Sequence, residues 1–460
     1  MTRARTTRDF TEGKIFLPML KFSIPIILAG CLQQLYNTAD KIVVGRFSGE
    51  VNALGAIGCT VSLYSLLVSL CTGLSMGSGV TVAHRFGEHD ERALSRAVHT
   101  AFSVGLFIGV LMAAIGFFLC RPILVLMDTR PELLDLAVLY MKIIFAGTPF
   151  FVLYNFGAAV LRSLGNSKTP LVILAVSGLL NVGFNLLFVL AFGMSADGVA
   201  YGTIIAQFVS AIAVWCVVAF KTDAVRFRFR SLCVDRRSVI DIVRIGIPSG
   251  LQTALFGISN VLLQSTVNLL PNATVTGDAV CKSIGSYTSV TAAGVYQAVL
   301  TFTGQNAGAK KPERVRRVLR AGLLLSFLAV GTVSWGIVLF ANPLISLFVD
   351  PTHPEVEAVY AAARERMYIV TIPYVLGGCM DALTGHLRGR KYSLAPMLTT
   401  LFFACVLRVL WLVAVYPHLT PCLTNIYLCY PITWTLNICA QLLIVYVVNR
   451  REKKRAVLPA

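Results

Sequence analysis

Charged residues are scarce in this chain of 460 residues, and few polar stretches interrupt its apolar segments. Only 13% of the residues are charged, whereas 56% are hydrophobic, and the mean hydropathy is +0.74. A soluble protein of this length could not cover so much apolar surface. The composition therefore excludes an ordinary soluble protein and predicts an integral membrane protein.

Several motifs that carry chemistry are missing as well. The twelve cysteines show no CxxC or Cys/His spacing, so neither a disulfide nor a metal site is predicted. The sequence has no GxxxxGK[ST] loop to bind nucleotide phosphates and no HExxH motif. The six histidines are scattered along the chain. These absences argue against nucleotide hydrolysis as a power source and against an enzyme, and we expect no cofactor.

Twelve long apolar segments indicate membrane-spanning helices. Most exceed the roughly 20 residues that a helix needs to cross the hydrocarbon, whereas a barrel would need alternating segments of about ten. The predicted fold is therefore an all-α integral membrane protein with twelve transmembrane helices in two pseudo-symmetric six-helix bundles. The predicted segments are 16–39, 51–81, 97–120, 133–161, 169–192, 198–220, 240–270, 279–304, 318–341, 360–386, 393–416 and 423–448.

The basic residues crowd alternate connections. The net charge is +18, and 31 of the 40 lysines and arginines fall on the side that holds both termini. The positive-inside rule predicts that this side is cytoplasmic, in the inner membrane of the cell. This placement explains the positive net charge, so nucleic-acid binding is not predicted. The basic tail that begins at Arg450 is expected to contact anionic lipid. The opening residues are polar and basic, so no cleavable signal peptide is predicted.

The two halves of the chain resemble each other. IPIILAG (Ile24–Gly30) and IPSGLQT (Ile247–Thr253) lie 223 residues apart, and two polar connections, from Gly87 and Gly308 and from Leu161 and Leu387, follow in the same order. Because six helices return the chain to its starting side, the repeats are parallel. We predict an N-terminal segment (1–15), an N-lobe (16–220), a linker (221–238), a C-lobe (239–448) and a basic tail (449–460).

Polar residues inside the first-half helices need an explanation, because a buried ionisable group is costly in a membrane. Gln33, Asn37 and Asp40 share one face of the first helix. Such a stripe fits the wall of a wet cavity, although Asp40 could instead pair with Lys41 or Arg46 at the membrane surface. Four neutral groups, which could hold an ion or simply join helices, follow in helices four to six: Asn155, Asn181, Asn185 and Thr203.

In the second half, Asn260, Gln264 and Asn268 repeat the polar stripe, but no acid occupies the position equivalent to Asp40. Asp381 is the deep acid there. Arg408 has no partner that the sequence identifies. Asp278 and Lys282 are spaced as an i, i+4 ion pair near the outer face, with an expected structural role.

Five motifs in order resemble those of the multidrug and toxic compound extrusion (MATE) transporters. They are VGRFSGEVNALGAIG (Val44–Gly58), LRSLGNSKTP…NVGFN (Leu161–Asn185), ADGVAYGT (Ala196–Thr203), HLRGRKYSLAPM (His386–Met397) and VLRVLW (Val406–Trp411). The resemblance covers all twelve segments. It implies two six-helix lobes and export of organic cations in exchange for inward H⁺ or Na⁺.

The resemblance also implies an ion-coupling site in the first half, at Asp40, Asn155, Asn181, Asn185 and Thr203. Some members of the family carry a second acid where Asn185 stands. Another branch uses acids in helices seven and ten, which are missing around Phe256 and Gly377. The first-half site is therefore the preferred prediction, with H⁺ and Na⁺ both open.

The predicted function is alternating-access antiport of organic, cationic or amphiphilic compounds by a monomer in the lipid bilayer. A lipid-linked sugar flippase of the same superfamily, a membrane enzyme and a channel are the alternatives. A flippase should carry more basic groups within the membrane, and an enzyme should carry a cluster of reactive groups in its loops. The predicted substrate cavity is lined by Gln33, Gln34, Tyr36, Asn37, Asn260, Gln264, Met380 and Asp381.

Overall fold

A computed structural model describes residues 7–47, 51–225, 227–350 and 354–457, and no β-strand occurs among them. Apolar runs without internal breaks form long helices, because each helix satisfies its own backbone hydrogen bonds. The first half contains α1 (Phe16–Phe47), α2 (Val51–Gly87), α3 (Glu91–Leu126), α4 (Pro131–Ser163), α5 (Lys168–Leu186) and α6 (Ala196–Phe220). A π-helical turn, Leu187–Ala191, extends α5.

The second half repeats this layout with more irregular helices. It contains α7 (Arg236–Val267), α8 (Asn272–Gly308) and α9 (Pro312–Leu339). Three further spans cover Val356–Gly389, Leu394–His418 and Leu423–Lys454, and π-helical turns interrupt the first two of these. A short helix, Ala341–Ile345, follows α9.

Eleven helices of the described ranges are long and apolar enough to cross a membrane. They correspond to eleven of the twelve predicted segments. The remaining segment, 279–304, lies within α8, which has 37 residues and is therefore long enough. What sets α8 apart is its polarity, since serine, threonine and Lys282 replace the apolar residues of its neighbours.

The described chain forms two compact units. Unit 1 contains the described parts of Met1–Gly13, Ile24–Gly250 and Gly304–Lys311, and unit 2 contains Lys14–Ser23, Leu251–Thr303 and the described parts of Pro312–Ala460. The boundary between the two units falls within α1 beside Pro25 and within α7 close to Pro248. The predicted lobe boundaries at 16–220 and 239–448 stay a prediction. The start of the N-terminal segment and the end of the tail lie outside the described residues.

Trp215 of α6 is part of the buried core of unit 1. Its indole N–H donates to the carbonyl oxygen of Leu153 at 2.9 Å, and its ring packs edge-on against Phe102. Phe227, which follows α6 in the predicted linker, also packs on Trp215 and is buried. A buried indole needs a hydrogen-bond acceptor, and Leu153 supplies it. The linker residues around Phe227 are therefore part of the packed core of unit 1.

Residues 7–13, in the N-terminal segment, lie beside the ends of α2, α4 and α8 in unit 1. The backbone N–H of Arg8 donates to the carbonyl oxygen of Leu164 at 2.8 Å, at the end of α4. Gly87 at the end of α2 lies against the Gln305 carbonyl of α8, and Gly308 lies against the His84 carbonyl of α2. A Cβ at either glycine would overlap the opposing backbone. The two glycines that the sequence repeat aligns thus allow α2 and α8 to touch.

A buried polar network organises unit 2. Gln441 donates to Asn437 at 3.2 Å and to Thr384 at 3.1 Å, and Asn437 donates to Thr400 at 3.2 Å. Gln441 and Asn437 are fully buried. These amides join the last three spans, because each buried amide has to find its partners within the protein.

Candidate ion-coupling site

Asp40 lies near the end of α1 and is held by an amide from α5. The side-chain N–H of Asn185 donates to the Asp40 carboxylate at 2.6 Å, although 145 residues separate them. Asn185 is fully buried and Asp40 is half-buried. A short bond from an amide to a carboxylate stabilises the ionised acid. The side chains of Lys41 and Arg46, the alternative partners of Asp40, lie outside the described residues.

Two more predicted residues join the same cluster. Asn181, one turn before Asn185 on α5, donates to the hydroxyl of Thr203 on α6 at 3.2 Å. Gly202, the neighbour of Thr203, leaves room for the side-chain oxygen of Asn185, which a Cβ at position 202 would overlap. Helices α1, α5 and α6 therefore bring four of the five predicted coupling residues together.

Asn155, the fifth predicted residue, makes a different contact. Its amide donates to the carbonyl oxygen of Phe151, one turn earlier on α4, at 2.8 Å. Among the described residues it makes no hydrogen bond to Asp40, Asn181, Asn185 or Thr203. The structure thus places Asn155 in unit 1 without linking it directly to the acid.

An apolar cluster lies one turn beyond Asp40. Val43 of α1 packs with Val189, Ala196 and Val199, all of which are buried. Tyr64 of α2 and Tyr140 of α4 are close enough to interact electrostatically with Asp40. The sequence analysis missed both tyrosines, because an isolated aromatic residue in an apolar helix gives no signal of what it faces.

One atom of the site is left without a partner. The side-chain oxygen of Asn185 is buried and accepts no hydrogen bond from the described residues. A buried polar atom of this kind is uncommon and costs free energy. The carboxylate of Asp40, the oxygen of Asn185 and the hydroxyl of Thr203 are oxygen ligands, which suit a hard cation as well as a proton.

The predicted cavity residues of unit 1 lie on α1. Gln33 donates to Asn37 at 3.4 Å, and both side chains are exposed. Tyr36 donates from its hydroxyl to the carbonyl oxygen of Ala175 on α5 at 3.1 Å. Gln34 is half-buried on the same helix. The first helix therefore carries an exposed amide stripe, and Tyr36 ties it to α5.

The predicted cavity residues of unit 2 have partners of their own. Asn260 accepts from the Tyr430 hydroxyl at 3.1 Å, and Gln264 accepts from Lys282 at 2.9 Å. Met380 is buried beside the Asn437 amide, and Asp381 is half-buried in the same span. Whether these residues share one cavity with the α1 stripe stays a prediction.

Asp278 does not form the ion pair that its spacing suggested. It pairs with Arg366 at 3.1 Å and accepts from the Tyr427 hydroxyl at 2.8 Å, and it is fully buried. Lys282 bonds to Gln264 instead. The prediction from the helical spacing of Asp278 and Lys282 was wrong, because Arg366 from another span forms the ion pair with the carboxylate.

Arg408, whose partner the sequence left open, lies among aromatic rings. Its guanidinium stacks on Tyr430 at 3.9 Å and lies 5.0 Å from the Phe256 ring, and its Nε donates to Thr433 at 3.3 Å. The side chain is fully buried. Cation–π contacts of this geometry partly offset the loss of water around the charge.

Long apolar helices and a lone, amide-bound carboxylate define a multi-pass membrane protein with a polar site inside its first helices. The MatE family model matches this chain over residues 25–187 and 248–413. The two stretches begin at Pro25 and Pro248, as the internal repeat predicts.

Curated relatives and solved structures agree with this match. The probable multidrug resistance protein YpnP of Bacillus subtilis is 30% identical over 87% of this chain and 88% of its own length. YoeA, a probable multidrug resistance protein of the same organism, is 27% identical over 86% of each chain. A crystal structure of MATE in the bent conformation matches with a TM-score of 0.88 at 20% identity, and the match covers 98% of both chains.

The chain belongs to the MATE family. This confirms the family resemblance, and the similarity to the solved structures confirms the predicted fold of twelve transmembrane helices in two bundles. Helix α8 is therefore a membrane-spanning helix in spite of its polarity.

Proposed function

We propose that this protein exports organic, cationic or amphiphilic compounds by alternating access, in exchange for H⁺ or Na⁺. The observation that carries the proposal is the 2.6 Å hydrogen bond between Asn185 and Asp40. The relatives YoeA and YpnP are named probable multidrug resistance proteins, which supports export of such compounds. No cofactor other than the coupling ion is part of the proposal, and neither is an enzymatic reaction.

In the proposed cycle, the ionised Asp40 accepts the Asn185 amide until an ion arrives. A proton would neutralise the carboxylate directly, whereas Na⁺ would share it with the free oxygen of Asn185. Either event weakens the bond between α1 and α5 and changes how α1 packs. Pro25 interrupts the hydrogen bonding of α1 and is the natural point for the helix to bend. Bending of α1 would then expel the substrate.

The energetics limit the exchange. One charge that enters across about 100 mV supplies roughly 2.3 kcal/mol, which corresponds to a concentration ratio of about fiftyfold. If the exported compound is a monovalent cation, the electrical contributions of the two ions cancel. Strong accumulation then requires a pH gradient or more than one coupling ion.

We further propose that the protein works as a monomer in the inner membrane with both termini in the cytoplasm. The lysines and arginines concentrated on that side support this orientation. Export of lipid-linked sugars has no support among the relatives, and Arg408, Lys282 and Arg366 are few for a pyrophosphate. The coupling site is thus best tested on drug-like substrates.

The test is export from proteoliposomes that contain the wild type or Asp40→Asn, with pH and Na⁺ gradients imposed separately. We expect gradient-driven export by Asp40→Asn to fall at least tenfold, and the gradient that drives the wild type identifies the ion. Asp135→Asn is the matched control, because Asp135 is an exposed acid paired with Arg121 on the surface. Undiminished export by Asp40→Asn would remove Asp40 from the mechanism.

A further inference from the structure

One face of helix α8 is too polar to contact lipid. Among the described helices of spanning length, its composition sets it apart from the eleven apolar spans. Lys282, Ser286 and Ser289 follow each other at i, i+4 and i+7, and Lys282 and Ser289 are exposed. A lysine inside a membrane faces a bundle interior or water, because exposure to lipid is costly. This face of α8 therefore borders a polar space in unit 2.

The ammonium of Lys282 has no acid as its partner among the described residues. It donates to the side-chain oxygen of Gln264 at 2.9 Å, and Gln264 in turn donates to Asn268 at 3.1 Å. The nearest acid along α8, Asp278, is occupied by Arg366 and Tyr427. An ammonium has three donors, so Lys282 keeps donors for a ligand.

A second cation, Arg408, lies close to the same face and is connected to it through Tyr430 and Asn260. The two terminal nitrogens of Arg408 are buried and find no hydrogen-bond acceptor among the described residues. Tyr430, on which Arg408 stacks, donates to Asn260, one turn before Gln264 on α7. Asp381 interacts electrostatically with Arg388.

The balance of charge around this face is positive. Lys282, Arg366, Arg388 and Arg408 contribute four positive charges. Asp278 and Asp381 contribute two negative charges, and these interact with Arg366 and Arg388. This net positive charge attracts an anion to the face. The amides of Asn260, Gln264 and Asn268 add neutral donors and acceptors that can orient it.

We propose that this face of unit 2 binds the anionic oxygen group, a carboxylate or a phosphate, of an amphiphilic substrate. Lys282 contacts the anion, the α7 amides orient it, and Arg408 raises the local positive potential from behind Tyr430. This inference rests on the proposed export function and narrows it to substrates that carry an anionic group beside their cationic or apolar part. A zwitterion carries no net charge, so its export in exchange for one H⁺ keeps the electrical driving force. Export of a monovalent cationic substrate in exchange for one H⁺ would cancel that force.

The test compares two dyes of one skeleton, zwitterionic rhodamine B and its cationic ethyl ester, on the purified full-length protein. Binding is measured by fluorescence anisotropy in detergent, and export is measured in proteoliposomes. For Lys282→Gln we expect about a tenfold higher dissociation constant for rhodamine B and less than a twofold change for the ester. Lys282→Arg should restore binding, and Lys168→Gln, at an exposed lysine that begins α5, is the matched control.

Competition by benzoate and by phenyl phosphate against bound rhodamine B identifies which oxygen group the face prefers. Equal losses for both dyes, no loss for either dye, or no binding of rhodamine B to the wild type would each overturn the subsite. If the wild type exports neither dye under any gradient, the export function fails. Selective loss of rhodamine B binding by Lys282→Gln in detergent would still support the subsite in that case.

Discussion

The side-chain amide of Gln305 accepts a hydrogen bond from the backbone N–H of Phe10 at 2.8 Å, although 295 residues separate the two in sequence. The same amide donates to the carbonyl oxygen of Ser163 at 2.8 Å. Gln305 is fully buried and Phe10 is nearly so. One side chain thus joins the N-terminal segment, the end of α4 and the end of α8.

Gln305→Ala should loosen this end of unit 1. The change removes the Gln305 hydrogen bonds to a buried N–H and to a buried carbonyl, at a cost of about 1–3 kcal/mol for each group. We expect faster hydrogen–deuterium exchange in residues 7–13 and a lower thermal unfolding temperature. Gln207→Ala, at a half-buried glutamine of α6, is the control. Unchanged exchange in residues 7–13 would show that Gln305 does not hold the segment.

Gly202→Ala should separate Asn185 from Asp40, because a Cβ at position 202 would overlap the side-chain oxygen of Asn185. We expect about a tenfold loss of gradient-driven export with little change in the amount of folded protein. Gly183→Ala is the matched control, since a Cβ at position 183 meets nothing within 4 Å. Equal activities of the two variants would contradict the coupling role of the Asn185–Asp40 contact.

Arg366→Met should destabilise unit 2 by about 3–5 kcal/mol, because it leaves the buried Asp278 without its counter-charge. The double variant Asp278→Asn/Arg366→Met should recover part of the loss, since neither charge then remains buried. Thermal unfolding in detergent measures both effects. Arg364→Met, which removes an arginine that donates to the Tyr360 carbonyl oxygen of its own helix, should change stability by less than about 0.5 kcal/mol. A double variant less stable than Arg366→Met would refute this account.

Asp235 caps α7 and gives the protein a pH-dependent increment of stability. The hydroxyl of Ser238 donates to its carboxylate at 2.7 Å and the Ser238 backbone N–H donates at 2.8 Å, and these bonds lower the pKa of Asp235. Because the pKa of Asp235 is lower in the folded than in the unfolded chain, its ionised form stabilises the fold at pH values above the unfolded pKa of about 3.9. This contribution is lost as the pH falls through the folded pKa.

Asp235→Ala should therefore lower the unfolding temperature at pH 7 by an amount equivalent to about 0.5 kcal/mol, the low end for a helix cap because solvent screens this carboxylate. The difference from the wild type should shrink between pH 5 and pH 3. Asp223→Ala, at an exposed turn residue, is the control. A difference that grows as the pH falls would have the wrong sign.

Much of the site was predictable, because the residues that form it are the polar exceptions in apolar helices. Asp40, Asn181, Asn185 and Thr203 stand out from their neighbours, and the structure brings them together. Asn155 stands out equally, yet it bonds to its own helix. Polarity indicates that a buried group needs a partner, but it does not indicate which one.

The sequence by itself determined the membrane-spanning helices, the two repeats and the polar stripe of α1, since each depends on the hydropathy or the order of residues along one segment. Only the tertiary structure decided that Asp278 pairs with Arg366, that Lys282 bonds to Gln264 and that Arg408 stacks on Tyr430. These contacts depend on how helices far apart in sequence rotate and pack. Helical spacing constrains only neighbours on the same helix, and it therefore could not specify them.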